Sequence, residues 1–137
     1  MSIQDRIINH FSDSIQTQQE SMASLCELIE YASQCLVTTL LNDKKIFTCG
    51  NGRSATNSQA LSSLMVNQFE RDRPSLPVIA LTAYTAIITA IANDFQFDEV
   101  FSKQLRALGQ SGDMLIAFTD GNNSANIANA IAVAHDK

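Results

Sequence analysis

"KIFTCGNGRSATNSQ", residues 45–59, runs from a short apolar stretch into a loop of small and polar residues and then into a helical pattern. Four or five apolar residues followed at once by glycines are too short for a helix and read as a buried strand. Gly50 and Gly52 permit a tight turn, Ser54 is placed to act as N-cap, and the free N–H groups at the start of the helix that follows favour an anion. A strand, a glycine turn and a helix in that order make one unit of a parallel α/β sheet.

The same texture continues downstream. A helical run, "SATNSQALSSLMVNQF" (54–69), precedes the strand-like "PVIAL" (77–81). Helical stretches near 84–92 and 97–108 come next, then the strand-like "DMLIAFT" (113–119) and the helical "SANIANAIAVAH" (124–135). Strands alternating with helices require crossover connections, so they predict a parallel sheet with helices on both faces. The strands are apolar without alternation, as burial on two sides demands. Only three strands occur before Lys137, and such a sheet looks unfinished.

Upstream, Ile3, Ile7, Ile8, Phe11 and Ile15 recur at helical spacing among polar residues, which predicts an amphipathic helix over 2–22. A second helix is predicted over 23–42, ended by "NDK". The apolar stripe on the first helix needs a covering surface. Residues 1–44 are read as an N-terminal helical segment, and 45–137 as the α/β unit.

Composition narrows the function. Nine basic against fourteen acidic residues give a net charge of −5 with no Lys/Arg run, which argues against direct nucleic-acid or anionic-membrane binding. The most apolar segment, 75–92, is interrupted by Pro77, three threonines and a tyrosine, whereas a membrane-spanning helix needs about 20 predominantly apolar residues. "MSIQDRIINHF" has no apolar core of a secretory signal, so a cytoplasmic location is expected. Cys26, Cys35 and Cys49 lack CxxC spacing and read as reduced thiols, and His10 and His135 lie near opposite ends, so no histidine-based metal cluster is expected.

In an open parallel sheet, ligands lie at the carboxyl ends of the strands. The candidate loops are 49–59 and "TDGNNSAN" (119–126), each joining a strand to a helix. Neither fits GxxxxGK[ST] or GxGxxG.

Taken together, "CGNGRSA", "RDRPSLPVIAL", "AIANDFQFDEVFSKQLRALGQSGDMLIAF" and "NNSANI" resemble the sugar isomerase (SIS) domain family. The resemblance is to its branch of sedoheptulose 7-phosphate isomerases (phosphoheptose isomerases) and DnaA initiator-associating proteins (DiaA). It implies a flavodoxin-like parallel sheet sandwiched by helices, here lacking the C-terminal portion, and a homotetramer assembled in part through the N-terminal helices.

Carried over by residue, the resemblance implies that the first loop touches substrate through Asn51, Gly52, Arg53 and Ser54, and that Asn93 and Asp94 form a second contact. The phosphate loop corresponds to Thr119, Asp120, Gly121, Asn122, Asn123 and Ser124, with hydroxyls kept only at Thr119 and Ser124. Asp120 stands where a neutral hydroxyl residue is usual. Unit charges about 5 Å apart at an effective dielectric near 20 repel by roughly 3 kcal/mol, which is about a hundredfold in affinity. Arg53, in place of a glycine, offsets this if it faces Asp120 across an anion pocket; the other possibility is two separate solvated charges.

The positions at which the isomerases carry a histidine and a glutamate, one helical turn apart, hold Ala60 and Leu64. Neither takes a proton or ligates a metal. The resemblance therefore implies a noncatalytic SIS-domain scaffold of the initiator-associating kind, with no catalytic residue and no cofactor of its own, a DnaA partner, and a sugar phosphate as a possible ligand. The alternative is a sedoheptulose 7-phosphate isomerase of lipopolysaccharide heptose biosynthesis. That enzyme would use zinc, and would need a C-terminal glutamine and histidine or a neighbouring subunit to complete its chemistry.

Overall fold

Strand β1, Ile46–Gly50, is buried at every residue and forms the middle of a three-stranded parallel sheet. The computed structural model describes residues 1–121 and 123–137. The chain runs α1 (Ile3–Leu41), β1, α2 (Arg53–Val66), β2 (Val78–Ala80), α3 (Thr85–Asp94), a 3-10 turn (Phe97–Glu99), α4 (Ser102–Leu108), β3 (Met114–Phe118) and α5 (Ala125–Asp136). The strand order is β2-β1-β3, with Ile46 opposite both Val78 and Met114 and Gly50 opposite Phe118. Every predicted strand is present within about a residue or two of its expected ends.

The sheet is covered on both faces, and β1 shows how. Phe47 and Cys49 join Leu81, Val100, Phe101, Leu105, Ile127, Ala130 and Val133 in the core beneath α4 and α5. Thr48, between them in sequence, points the other way because successive strand residues alternate. Its hydroxyl donates to the Ser58 carbonyl of α2 at 3.0 Å and accepts from Ser58 Oγ at 2.8 Å. Both residues are fully buried, so the pairing removes a desolvation cost of about 1–3 kcal/mol per hydroxyl left unmade.

Three polar devices hold the connections. At the amino end of the sheet, Asp113 accepts the Lys45 ammonium at 2.6 Å, the Lys45 N–H at 3.0 Å and the Gln110 N–H at 2.8 Å. This fixes the starts of β1 and β3 against each other. At the end of α2, the Arg73 guanidinium donates to the Leu64 and Met65 carbonyls at 2.8 and 2.9 Å, satisfying acceptors that a helix end leaves open. Buried Gln104 donates to the carbonyls of Leu81 and Val100, tying α4 to the residue after β2.

Three expectations are revised. The two helices predicted over 2–42 are one, Ile3–Leu41, because no glycine or proline interrupts that span. The helical stretch 97–108 divides into the 3-10 turn and α4. Finally, α2 is capped by Gly52 rather than Ser54. Gly52 takes φ +55°, ψ −120°, a conformation open essentially to glycine, and this lets the helix begin at Arg53.

By residue contacts the chain divides into two units, Met1–Val37 and Thr38–Lys137. The first is helical and exposes Ile3, Ile7, Ile8, Phe11 and Ile15. The second holds the sheet and its helices. Among the described residues no helix is long and apolar enough to cross a membrane.

Candidate functional site

β1 and β3 run parallel and in register, so the loops after Gly50 and Phe118 emerge side by side at the carboxyl edge of the sheet. Gly50 is required at the first exit. A Cβ there would lie 2.6 Å from the carbonyl carbon and oxygen of Ser54, so only glycine lets the first turn of α2 come this close. Ser54 N–H donates to the Asn51 carbonyl at 2.9 Å, and Ala55 and Thr56 N–H to the Gly52 carbonyl. The N–H groups of Gly52 and Arg53 lie ahead of that ladder. A helix start of this kind concentrates donors and the positive end of the helix dipole.

The second loop reaches α5 through Gly121, at φ +91°, and Ser124, the residue preceding the helix, whose carbonyl accepts from Ile127 and Ala128. Thr119 and Asp120 begin it; Asn122 lies outside the described residues. The two loops are joined twice. Arg53 Nη2 lies 3.9 Å from Asp120 Oδ2, with side chains 92% and 52% exposed. Asn51 Nδ2 donates to Asn126 Oδ1 at 2.8 Å, and Asn126 Nδ2 donates to Asn51 Oδ1 at 2.9 Å.

The exposed Arg53–Asp120 pair brings the two charges within reach of each other. Water screens it, so it is worth about 0–1 kcal/mol, and the same screening would reduce the repulsion between Asp120 and any anion at this edge. Ser54 is buried in the first turn of α2. Asn93 and Asp94 end α3, where Asn93 Nδ2 donates to Asp94 Oδ1 at 2.9 Å; the 3-10 turn that follows is tied to α5 by Asn129 Nδ2 on the Asp98 carbonyl at 3.1 Å. Thus the structure joins Asn51, Arg53, Asp120 and Asn126 directly. It places Asn93 and Asp94 on a neighbouring segment with contacts to each other.

Asn126 was not among the sequence candidates. It is 2% exposed and shares the buried stripe of α5 with Ile127, Ala130 and Val133. A carboxamide on an otherwise apolar helical stripe is the signal that points to it, since a buried amide needs partners.

Ala60 and Leu64 stand on the exposed side of α2 and offer no proton-accepting or metal-ligating atom. Among the described residues no three His, Cys, Asp or Glu side chains are grouped to hold a metal ion. The donors present therefore do not fit the zinc that the resemblance implies for an isomerase. Cys49, next to the loop, is fully buried, and burial pushes its thiol up to about 12; it stays protonated and inert.

A parallel sheet with two helix-opening loops at its carboxyl edge defines an α/β domain of the class that places its ligand site at that edge. Comparison with known proteins narrows it: the SIS domain family matches residues 10–137, and the chain belongs to that family. It is 50% identical over 137 residues to a phosphoheptose isomerase of Chromohalobacter salexigens and 47% identical to that of Methylococcus capsulatus, covering all of this chain and 70% of each relative. Among solved structures, it is similar to phosphoheptose isomerase GmhA from Neisseria gonorrhoeae, at 41% identity and TM-score 0.91 over 98% of this chain and 70% of that one. A phosphoheptose isomerase from Francisella tularensis matches at 40% identity and TM-score 0.94, over 99% of this chain and 71% of that one.

These findings correct the expectation of a noncatalytic initiator scaffold. The relatives and structures named above carry the name of an isomerase, and the inference from Ala60 and Leu64 does not stand against them. With that reading goes the reason for expecting a DnaA partner.

Proposed function

We propose that this chain acts as a phosphoheptose isomerase, binding sedoheptulose 7-phosphate at the carboxyl edge of the sheet. The observation that carries the reading is the match over 98–100% of the chain, at 44–50% identity, to proteins of that name. Phosphate is held at the start of α2 and in the 119–124 loop, by backbone N–H groups, the hydroxyls of Ser54, Thr119 and Ser124, and the Arg53 charge. Asn51, Asn93 and Asp94 take the sugar hydroxyls.

Aldose–ketose interconversion moves a proton between adjacent carbons and needs a base at hydrogen-bond distance. Ala60 and Leu64 do not supply one. We assign that role to Asp94, and any further acid or base would have to come from a neighbouring subunit or from sequence corresponding to the part of the relatives beyond their match to this chain. A homotetramer built through the exposed stripe of residues 3–15 would supply such a neighbour, with 1–44 serving assembly and 45–137 the sugar phosphate.

The test is a coupled assay of the purified protein with sedoheptulose 7-phosphate and added zinc, beside calorimetric titration of the sugar. Saturable binding and turnover that Asp94→Asn abolishes are expected. Absence of both from folded protein would refute the proposal.

A further inference from the structure

Two carboxamides facing each other with each donating to the other form a closed ring of two hydrogen bonds, here at 2.8 and 2.9 Å between residues 75 apart in sequence. Turning over either amide alone sets nitrogen against nitrogen and oxygen against oxygen, and both bonds are lost. Each side chain therefore fixes the orientation of the other.

The two members are unequal. Asn126 is 2% exposed and lies on the packed stripe of α5 beside Ile127. Asn51 is half-buried and sits on the loop leaving β1. The ring uses one N–H and one side of the oxygen of each amide. What remains of Asn126 is inside the protein, whereas Asn51, only half-buried, is the member of the pair on the loop side and keeps a second N–H and a lone pair outside the ring.

We infer that Asn126 is a positioning residue for sugar-phosphate binding: it anchors the Asn51 carboxamide in one orientation and pins the first loop to the start of α5, so that the ligand meets a preset donor and acceptor. This rests on the reading of the loop as a phosphosugar site. The benefit is preorganisation, because the loop and amide are ordered before binding rather than at its expense. Asn126 acts only through Asn51 and does not itself touch the ligand.

Asn126→Asp tests this in the purified protein, with sedoheptulose 7-phosphate titrated at a pH of about 8 and of about 5. At the higher pH the carboxylate has no proton to give, and an oxygen faces Asn51 Oδ1. One bond of the ring is lost, and binding is expected to weaken about tenfold. At the lower pH the buried acid is protonated: its O–H donates to Asn51 Oδ1, its carbonyl accepts from Asn51 Nδ2, and the ring closes again. The ratio of wild-type to variant affinity should then fall towards one. A residue needed only for packing would lower the melting temperature and leave that ratio independent of pH.

In an Asn51→Ala background the second substitution is expected to change affinity no further. Asn126→Ser opens the ring without burying a charge and should cost about tenfold at both pH values. Wild-type binding together with unchanged affinity in Asn126→Asp and Asn126→Ser overturns the inference alone. No binding of the sugar phosphate by folded wild type overturns the site reading and the inference with it.

Discussion

Replacing Asp113 by alanine removes the acceptor that three donors share at the amino end of the sheet. The Asp113 side chain is 6% exposed, and burial alone would raise its pKa. The hydrogen bonds from the Lys45 ammonium, the Lys45 N–H and the Gln110 N–H outweigh burial and hold the carboxyl below its usual range. Bonds to a charged acceptor are worth about 1.5–3 kcal/mol each. The donors are partly solvated and regain water in the variant, so we expect a loss of about 3 kcal/mol at neutral pH rather than the sum. For a chain of this size that is a fall in Tm of roughly 10 °C.

The pH dependence has a definite sign. A carboxyl whose pKa is lowered by folding stabilises the protein fully above its unfolded value, near 3.9, and loses that contribution as pH falls through the folded value. The gap between wild type and Asp113→Ala should therefore be widest near neutrality and narrow below a pH of about 4. Lys45→Met, which leaves both N–H donors on Asp113, should cost only about 1 kcal/mol. Urea unfolding followed by far-UV circular dichroism at several pH values measures all three. A difference under about 0.5 kcal/mol for Asp113→Ala, or one unchanged by acid, would refute the assignment of this carboxylate as the clamp.

Other consequences follow from the site. Gly50→Ala places a methyl 2.6 Å from the Ser54 backbone and should destabilise by about 1–3 kcal/mol while weakening sugar-phosphate binding, measured by melting and calorimetry. Asp120→Ser removes a half-exposed carboxylate from the phosphate loop, and a gain in affinity of about threefold to tenfold, shrinking in high salt, is expected from titrations at two ionic strengths. Cys26, which is exposed, should react with a chromogenic disulfide in the native protein, whereas Cys49 should react only after denaturant is added.

The α/β class was legible because alternation of short apolar runs with helical periods is a local property. KIFTC, PVIAL and DMLIAFT each became a strand, and "NDK" and the glycine loop marked the ends between which β1 falls. The supposed break near residue 22 had no glycine or proline behind it, and helix propensity carried α1 through. The cap of α2 was misplaced by two residues because Ser54 has the capping side chain, whereas the backbone turn at Gly52 decides where the helix begins.

Much of the site depends on pairs distant in sequence. Arg53 with Asp120 was reachable by thinking of two loops at one edge; Asn51 with Asn126 was not, since nothing local to either residue names the other. The functional misreading had a different origin. Ala60 and Leu64 carry no reactive atom, but catalytic groups need not come from one helix or one subunit, so those two positions do not speak for the whole protein.

Among the described residues β3 is an outer strand of the sheet, and all five of its residues, Met114–Phe118, are only half-buried. It carries neither charge nor proline nor bulge, the features by which natural proteins blunt such a margin. In a polypeptide of these 137 residues its outer row of backbone donors and acceptors is a template for another strand, whether from further sequence of the same chain or from a second copy. Handled at high concentration, this polypeptide should be prone to strand-to-strand self-association, and a lysine introduced at Ile116 would act as a gatekeeper against fibres.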